Sequence, residues 1–429
     1  MNHERYQKAL RFIYNRQHFG IKLGLENITR LADWLGNPQN AYRTVHVAGT
    51  NGKGSTASFI ASILEAAGYR VGIFTSPHLA DYRERIRING RKISHDDIAD
   101  FIGQHKQLIL KSQVTFFEVT TALAFWYFER KKVDWAVLEV GLGGRLDATN
   151  IVTPEVAVIT NISYEHKNLL GRTIYKIAGE KGGIIKSNVP VVTGVELNGN
   201  DAARHFTEIC AEKAAPLHFR DRQGYVCEAR DGHDILHIKK GVFAGLAMKP
   251  SLIGRHQVEN AYLAACAAEA LANRGFRITP AAVRRGLESN FWPGRMMTVR
   301  RKPTVIIDVA HNREGFHALT ETLARHYPGR KFDFLVSMVE KKNGDHCLRM
   351  IAPLARSIST APLETFRRDD PYFLISRLRR GGPGIRVYPD ATTACKDLLE
   401  NSAQSDILII TGSHFLVGEI ASLIKRDGF

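Results

Sequence analysis

Residues 48–55, AGTNGKGS, place three glycines, a lysine and a serine between a predicted strand and a predicted helix. Glycines let backbone N–H groups converge on phosphate oxygens, Lys53 supplies a point charge, and the helix N-terminus adds partial positive charge. The loop departs from the general G-x-x-x-x-G-K-[ST] form, because Val47 occupies the first glycine position and Gly54 separates Lys53 from Ser55. The sequence predicts a phosphate cradle, with an incidental glycine-rich turn as the alternative.

A carboxylate stands at the end of another apolar run, in LEVGLGGRLDATN at 138–150. Ligands of parallel sheets bind at the carboxyl ends of the strands, and Mg²⁺ beside a nucleotide needs oxygen ligands. Glu139 is therefore a candidate metal ligand, with a carboxylate that only bonds loop amides as the alternative.

A histidine follows a further predicted strand, and two lysines precede the next one. His166 comes after the run at 156–160, but a lone histidine there is more often structural, and Mg²⁺ prefers oxygen. Lys181 and Lys186, in EKGGIIK at 180–186, read as surface lysines from the residues alone.

The segment IDVAHN at 307–312 ends one more apolar strand and opens a helix. Asp308, His311 and Asn312 together indicate a substrate or ribose contact. An N-cap cluster is the alternative, since Asn312 alone could supply the cap.

The elements that must position these residues alternate along the chain. Short β-branched runs at 44–49, 71–74, 135–141, 156–160 and 189–194 are separated by helical patterns at about 54–67, 96–110, 116–131, 199–214 and 256–273. This alternation predicts βαβ units on a parallel sheet, in an α/β fold with a phosphate-loop ATPase domain. Residues 216–240 look like a small antiparallel insertion.

The alternation restarts after FWPGR at 291–295, with strand-like runs at 304–310, 332–339, 385–389 and 406–413. We therefore expect an ATP-binding domain over 1–296 and a smaller α/β domain over 297–429. A crevice between two such domains is a common ligand site.

Composition narrows the class of protein. The chain has 429 residues, 44% hydrophobic and 24% charged, which is ordinary globular usage. Its net charge of +16 favours anionic partners, but the basic residues are spread out, which argues against nucleic acid. Five cysteines without a CxxC pair predict reduced thiols in the cytoplasm. The N-terminus has no apolar signal, and Glu118 interrupts the most apolar helix, so we expect neither secretion nor membrane insertion.

Several segments, in this order, resemble the Mur ligase superfamily, and specifically the folylpolyglutamate synthase and dihydrofolate synthase family. They are AGTNGKGS at 48–55, TSPHL at 75–79, RERIRING at 83–90, TFFEVTTALAF at 115–125, LEVGLGGRLDATN at 138–150, EKGGIIK at 180–186, GRHQVENA at 254–261, WPGR at 292–295, DVAHN at 308–312 and GSHFLVGEI at 412–420. The resemblance covers nearly the whole chain. TSPHL with RERIRING, and GLGGRLDATN, are more specific to the folate ligases than the phosphate loop, which the wall-building ligases share.

The resemblance implies a ligase that forms carbon–nitrogen bonds. In this family ATP phosphorylates a carboxylate, and the amine of L-glutamate then attacks the acyl phosphate, giving an amide, ADP and phosphate. Cations and N–H donors aimed at the transferring phosphoryl group are the expected catalytic devices, because two anions must be brought together.

The resemblance also implies roles for individual residues. Those expected to contact ATP are Gly49, Thr50, Asn51, Gly52, Lys53, Gly54, Ser55, Thr56, Asn260, Arg295 and Asp308. Ser76 and Glu139 would bind one Mg²⁺, Glu139 and His166 a second, and Lys181 matches a lysine that CO₂ carbamylates. His311 and Ser413 would hold the incoming glutamate. The pterin of dihydropteroate or tetrahydrofolate would lie near Pro77, Thr115, Phe117, Asp147 and Ala148.

The chain departs from the family pattern at three of these places. Glu165 stands where aspartate is usual before the histidine, Gly182 where alanine follows the lysine, and Arg313 where proline follows the asparagine. The neighbour change at Glu165 bears on the angle of His166, and Gly182 adds backbone freedom beside Lys181.

Two other functions are alternatives to a folate ligase. A ligase acting on a wall precursor or on cyanophycin keeps the chemistry, but wall ligases carry a nucleotide-sugar domain for which the residues before Thr44 leave no room. A nucleotide-dependent nucleic-acid-binding protein would need a basic stripe or stacking aromatics. Dihydropteroate, reduced folates or both remain open as the acceptor, although TFFE and RLDATN favour dihydropteroate; we expect a monomer.

Overall fold

The computed structural model describes residues 2–20, 22–230, 232–339, 344–363, 370–371 and 383–427. Its first sheet has eight strands in the order β4-β3-β2-β5-β1-β6-β7-β8. They are β1 (Arg43–Ala48), β2 (Val71–Phe74), β3 (Ile86–Ile88), β4 (Arg91–Lys92), β5 (Trp135–Glu139), β6 (Val156–Ile159), β7 (Val191–Thr193) and β8 (Leu217–Phe219). All pairs from β2 to β8 are parallel, while β3 and β4 add an antiparallel edge.

Helices cover both faces of this sheet. They are α1 (Asn2–Tyr14), α2 (Glu26–Trp34), α3 (Lys53–Ala66), α4 (His95–Ser112), α5 (Phe116–Arg130), α6 (Lys167–Leu170), α7 (Ile174–Gly182), α8 (Asp201–Glu212), α9 (Arg255–Asn273) and α10 (Pro280–Ser289). Side chains of β5 alternate between the two cores: Val137 packs with α3 and α9, whereas Ala136 and Leu138 pack with α4 and α5. This double cover explains why β5 is apolar throughout and why its last residue, Glu139, is buried.

A small antiparallel sheet of β9 (Tyr225–Arg230), β10 (His233–Ile238) and β11 (Ala247–Met248) follows the first sheet. The predicted insertion at 216–240 is therefore partly wrong. Leu217–Phe219 follows α8 and pairs in parallel with β7, because a strand–helix–strand connection returns the chain parallel to the strand it left. The antiparallel hairpin begins only at Tyr225.

The third sheet has the order β12-β13-β17-β14-β15-β16 and is parallel except for β12. Its strands are β12 (Met297–Arg301), β13 (Thr304–Ile307), β14 (Phe332–Val336), β15 (Ala355–Thr360), β16 (Gly384–Val387) and β17 (Ile407–Thr411). The helices α11 (Arg313–His326), α12 (Gly344–Ile351), α13 (Ala391–Glu400) and α14 (His414–Asp427) accompany them. The predicted α/β class is confirmed.

A buried carboxylate joins the small antiparallel sheet to α11. Asp234 of β10 is 5% exposed, and its oxygens lie 3.1 Å from Arg325 Nη2 and 2.9 Å from His326 Nε2. The backbone N–H of Gly254 also donates to Asp234, at 3.1 Å. This cluster ties the first part of the chain to the third sheet's outer helix.

Helix α5 contains the most apolar segment of the sequence, and most of its residues are buried in the interior of the protein. Among the described residues, no helix combines the length and apolar content needed to cross a bilayer.

Candidate active site

The phosphate loop connects β1 to α3. Gly52 has φ +81°, a left-handed conformation that favours glycine, and it directs the chain into the first turn of α3. Lys53 begins the helix, and its Nζ donates to the carbonyl oxygens of Gly49 at 3.0 Å and Thr50 at 3.1 Å. The lysine thus folds back over its own loop, where a terminal phosphate would meet it.

Two neighbouring elements press against this loop. Asn260 of α9 faces Gly52, and Thr56 Oγ1 donates to Asn260 Oδ1 at 3.4 Å. A Cβ atom at position 54 would lie 3.1 Å from the ring of Trp292, so a larger residue than Gly54 would press on the indole. Thr56 is fully buried beneath the loop and lies outside the cavity wall, so the structure gives it a supporting position.

Glu139, the last residue of β5, borders the same cavity as Lys53. It is 4% exposed, and its Oε2 accepts a hydrogen bond from the backbone N–H of Ser76 at 3.0 Å. Burial raises the pKa of Glu139, an effect that the positive charge of Lys53 opposes. The bond from Ser76 N–H is the kind of contact expected from the alternative prediction, a carboxylate that only bonds loop amides. The carboxylate of Glu139 nevertheless also borders the cavity.

The donor set fits a nucleotide-bound Mg²⁺. Ser55 Oγ is buried with no hydrogen-bond partner among the described residues, and it lines the same cavity as Glu139 and Ser76. In the described part of the chain, no group of three His, Cys, Asp or Glu side chains could hold a metal alone. Mg²⁺ next to a nucleotide takes its remaining ligands from phosphates and water, so one carboxylate with hydroxyls suffices.

Lys181 is a buried amine, not the surface lysine that the residues alone indicated. It is 1% exposed, and its Nζ donates to Gly49 O at 2.8 Å and to the carboxylate of Glu165. Burial and the nearby Lys53 lower the pKa of Lys181 to about 8. Although burial acts in the opposite direction, Lys181 and Lys53 bring the pKa of Glu165 below its ordinary value. His166 follows with φ +41° and also lines the cavity.

The opposite wall comes from the third sheet. Asp308 follows β13 and accepts from the N–H groups of Met296 at 2.9 Å and Ala310 at 2.8 Å. Arg295 Nε is buried without a hydrogen-bond partner in the described residues. Asn312 caps α11 through Gly315 N at 2.8 Å, as the alternative predicted, and its Nδ2 also donates to Asn51 Oδ1 at 2.8 Å.

His311 and Ser413 lie close together on this wall. The His311 Nδ1–H donates to Val309 O at 2.9 Å, and Ser413 is 2% exposed. The rings of His311 and His414 are 5.2 Å apart, and His414 Nδ1 has no partner among the described residues. Burial and the neighbouring His311 hold the pKa of His414 well below its usual range. Sequence reasoning assigned nothing to His414, although it adjoins Ser413 in the quoted segment GSHFLVGEI.

These walls enclose a cavity of about 660 Å³. Its lining includes every residue named above for ATP except Thr56, and also Ser76, Pro77, Glu139, His166, Lys181, His311 and Ser413. Residues from the first and third sheets therefore meet around one space.

A second cavity of about 320 Å³ adjoins the first at Ser76, Pro77, Gly141 and Leu142. It brings together Pro77, Thr115, Phe117, Asp147 and Ala148, the residues predicted for the pterin. Phe116 and Phe117 give it flat apolar walls, and Arg85 and Lys22 add two cations that sequence reasoning did not assign. The only sequence signal for Arg85 was its place in RERIRING.

Two of these polar side chains are engaged by their own backbone. Thr115 and Glu118 form a reciprocal cap at the start of α5, with Thr115 N–H donating to Glu118 Oε2 at 2.7 Å. Asp147 accepts from the N–H groups of Gly141 at 3.0 Å and Leu142 at 2.9 Å, and from Thr149. Asp147 therefore holds the loop that borders both cavities.

Comparison with known proteins places this architecture in a class. The Mur ligase middle domain matches residues 47–268, and the Mur ligase glutamate ligase domain matches residues 294–414. The fold is thus that of a Mur ligase.

Individual relatives narrow the class further. The chain is 36% identical to the dihydrofolate synthase/folylpolyglutamate synthase of Bacillus subtilis, over 98% of this chain and 99% of that protein. It is 30% identical to the Escherichia coli protein of the same name, over 98% and 96%. The chain belongs to the dihydrofolate synthase/folylpolyglutamate synthase family.

Solved structures agree. The Mycobacterium tuberculosis folylpolyglutamate synthase complexed with ADP has a TM-score of 0.87 at 31% identity, with both chains fully covered. The Escherichia coli FolC in complex with DHPP and ADP has a TM-score of 0.85 at 30% identity, over 98% of each chain.

Proposed function

We propose that the chain is an ATP-dependent ligase that joins L-glutamate to the carboxylate of dihydropteroate, of a reduced folate, or of both. The observation that carries the proposal is the junction of the two cavities at Ser76–Pro77 and Gly141–Leu142. A flat pterin in the second cavity can present its carboxylate to a nucleotide in the first. The relatives that match nearly the whole chain are named as folate ligases, which favours this acceptor over a wall precursor.

In this proposal the phosphate loop and both sheets hold ATP. The N–H groups around Gly52 and Lys53 bind the phosphates, and Asn260 supports the loop from α9. Arg295 and Asp308 reach the nucleotide from the opposite wall; the unpartnered Arg295 Nε supports this role. Lys53 and Arg295 stabilise the charge that develops as the phosphoryl group passes to the substrate carboxylate.

We propose metal ligands among the residues that line the first cavity. Ser76 and Glu139 would hold one Mg²⁺, and Glu139 with His166 would hold a second. When bound, Mg²⁺ supplies positive charge that neutralises the phosphate oxygens. The chain's own contribution is to fix Glu139 against Ser76 N–H and to exclude water around it.

Lys181 is the proposed site of a carbamate. A neutral amine attacks CO₂, releasing one proton and leaving a carboxylate-like group on Nζ. A pKa of about 8 leaves a useful fraction of Lys181 uncharged near neutral pH, which supports the proposal. The same burial would cost a permanent cation free energy.

Glutamate is placed by the third sheet in this proposal. His311 and Ser413 border the cavity opposite Lys53, where an incoming amine would face the acyl phosphate. Attack of that amine forms the amide bond and expels phosphate.

We further propose that the chain divides at 296/297 and that closure of its two domains assembles the site. The start of the third sheet at Met297 supports this division. We also propose a monomer that acts in the cytoplasm; the five free thiols support the reducing compartment.

The test is phosphate release from ATP and Mg²⁺ with L-glutamate, run with dihydropteroate, with tetrahydrofolate and with no acceptor. Release with dihydropteroate alone means a dihydrofolate synthase, with tetrahydrofolate alone a folylpolyglutamate synthase, and with both a bifunctional enzyme. Release that ignores both acceptors contradicts the proposal.

A further inference from the structure

Arg85 is a buried cation on the wall of the second cavity. Arg85 is only 8% exposed, and it lines this cavity beside Ser76 and Pro77. Its carbonyl oxygen accepts from Thr75 N–H at 3.0 Å, which fixes the residue next to the chain that leads from β2 to Ser76. Arg85 therefore lies where the second cavity approaches the first.

Among the described residues no carboxylate forms a direct ion pair with this charge, and Glu139 and Glu84 act on it only from a longer distance. Arg85 Nε donates to His78 Nδ1 at 2.7 Å, and the guanidinium lies 5.2 Å from the centre of the Phe116 ring. In the described part of the chain, no Asp or Glu oxygen lies within 4.0 Å of Arg85. The neighbouring acids are engaged elsewhere, since Asp81 binds Arg83 and Glu84 binds the N–H of Leu79.

A buried guanidinium without a direct ion pair is costly unless an anion meets it. Its planar fork of N–H donors matches a carboxylate in two parallel hydrogen bonds. His78 occupies only the Nε donor, and the described residues give the terminal nitrogens no hydrogen-bond acceptor, so these donors are left for a ligand in the cavity that Arg85 lines. The second cavity is thus built to receive a carboxylate as well as an aromatic ring.

The reacting carboxylate is a poor candidate for this partner. It must enter the first cavity to reach Lys53 and the phosphate loop, and Arg85 does not line that cavity. A guanidinium bound to both of its oxygens would also weaken it as a nucleophile. The partner of Arg85 is therefore a second carboxylate of the same substrate.

Dihydropteroate has one carboxylate, whereas a pteroylglutamate has two. We propose that Arg85 binds the α-carboxylate of the glutamate already attached to a pteroylglutamate and so selects substrates for chain extension. This inference rests on the proposed function, because it assumes a pterin in the second cavity.

The test compares dihydropteroate with dihydrofolate, which differ by one glutamate. Binding of each is measured by calorimetry to the full chain with ADP and Mg²⁺, for the parent and for Arg85→Gln. Loss of a charged hydrogen-bonded pair should weaken dihydrofolate binding about 10- to 100-fold. Dihydropteroate binding should change less than about threefold, within the variation of a neutral surface change.

Arg83→Gln is the matched control, because Arg83 belongs to the same segment but pairs with Asp81 outside both cavities. It should leave both affinities unchanged. Where circular dichroism shows that Arg85→Gln does not fold, Arg85→Lys provides the same ratio, since it keeps the charge and loses the fork.

The outcomes separate the inference from the function. If Arg85→Gln weakens the binding of both ligands equally, or of neither, the proposed role of Arg85 is wrong. The proposed function still stands in that case, provided that the protein ligates glutamate to dihydropteroate with ATP. A parent protein that binds neither ligand contradicts the proposed function, and this inference with it.

Discussion

Lys53 and Glu139 border the same cavity, Lys53 at the start of α3 and Glu139 at the end of β5. Lys53→Ala or Glu139→Ala should lower ATP turnover at least about 100-fold, because each removes a preorganised charge at the transferring phosphoryl group. The measurement is phosphate release with dihydropteroate or tetrahydrofolate. Lys249→Ala, at an exposed position, is the control. Retained turnover with native circular dichroism would remove the altered residue from the mechanism.

A second prediction for a single residue concerns Lys181. Lys181→Ala should reduce kcat about 10- to 100-fold, the usual cost of losing a group that supports a metal ligand. Added short carboxylates should restore part of the rate, since they can occupy the space of the carbamate. A carbamate signal from ¹³C-labelled CO₂ on the parent protein checks the same point directly. Absence of both the rescue and the signal would contradict carbamylation.

Only part of the candidate site could be predicted from the sequence. The phosphate loop and Glu139 were predictable, because each follows a strand directly and the chemistry lies in adjacent residues. The contact between Lys181 and Gly49 joins residues that lie 132 positions apart, and local pattern carries no record of it. Arg85 was visible as part of a motif, but its missing partner is a property of the folded protein alone.

At the scale of elements, Asp234 tests the tie between β10 and α11. Asp234→Ala should lower the free energy of unfolding by about 2–3 kcal/mol, because it leaves Arg325 and His326 without their shared acceptor. Urea unfolding measures this. Asp221→Ala, which breaks the exposed pair with Lys240, should cost less than about 1 kcal/mol. Similar costs for both changes would show that the tie adds nothing beyond a surface pair.

Glu65, on helix α3, is expected to make the stability of the protein depend on pH. Burial raises the pKa of Glu65 to about 7. Between the ordinary carboxyl pKa and about pH 7, the folded protein therefore binds more protons at Glu65 than the unfolded chain does. The free energy of unfolding consequently falls as the pH rises through this range. Glu65→Gln should therefore match the parent at pH ~4 and exceed its stability at pH ~8, by about 1 kcal/mol after solvent screening. Equal unfolding curves at both pH values would contradict the shift.

Element type was more predictable than element order. The periodicities at 71–74 and 135–141 correctly indicated strands, yet nothing in them places β5 between β2 and β1. That order follows from crossovers packing helices on both faces of the sheet, which is a long-range condition. The parallel pairing of β8 was missed for the same reason.

For the whole molecule, the bond between Asn312 and Asn51 joins the third sheet to the phosphate loop. Asn312→Asp keeps a side chain that can cap α11 but loses the Nδ2 donor to Asn51. It should raise KM for ATP about 5- to 10-fold at unchanged Tm, the value of one hydrogen bond. Asn312→Ala should raise KM similarly and also lower stability by about 1 kcal/mol, because the cap is lost. An unchanged KM in both variants would leave the contact without a role in nucleotide binding.

The close contact between Trp292 and Gly54 places an indole directly on the phosphate loop. Trp126 and Trp135 lie in the interior, and Trp34 is on the surface of α2. Indole emission responds to nearby charge and polarity, and here Arg87 also lies 5.0 Å from the ring centre. The protein thus carries its own optical probe, and nucleotide titrations can be followed in the unlabelled chain by fluorescence.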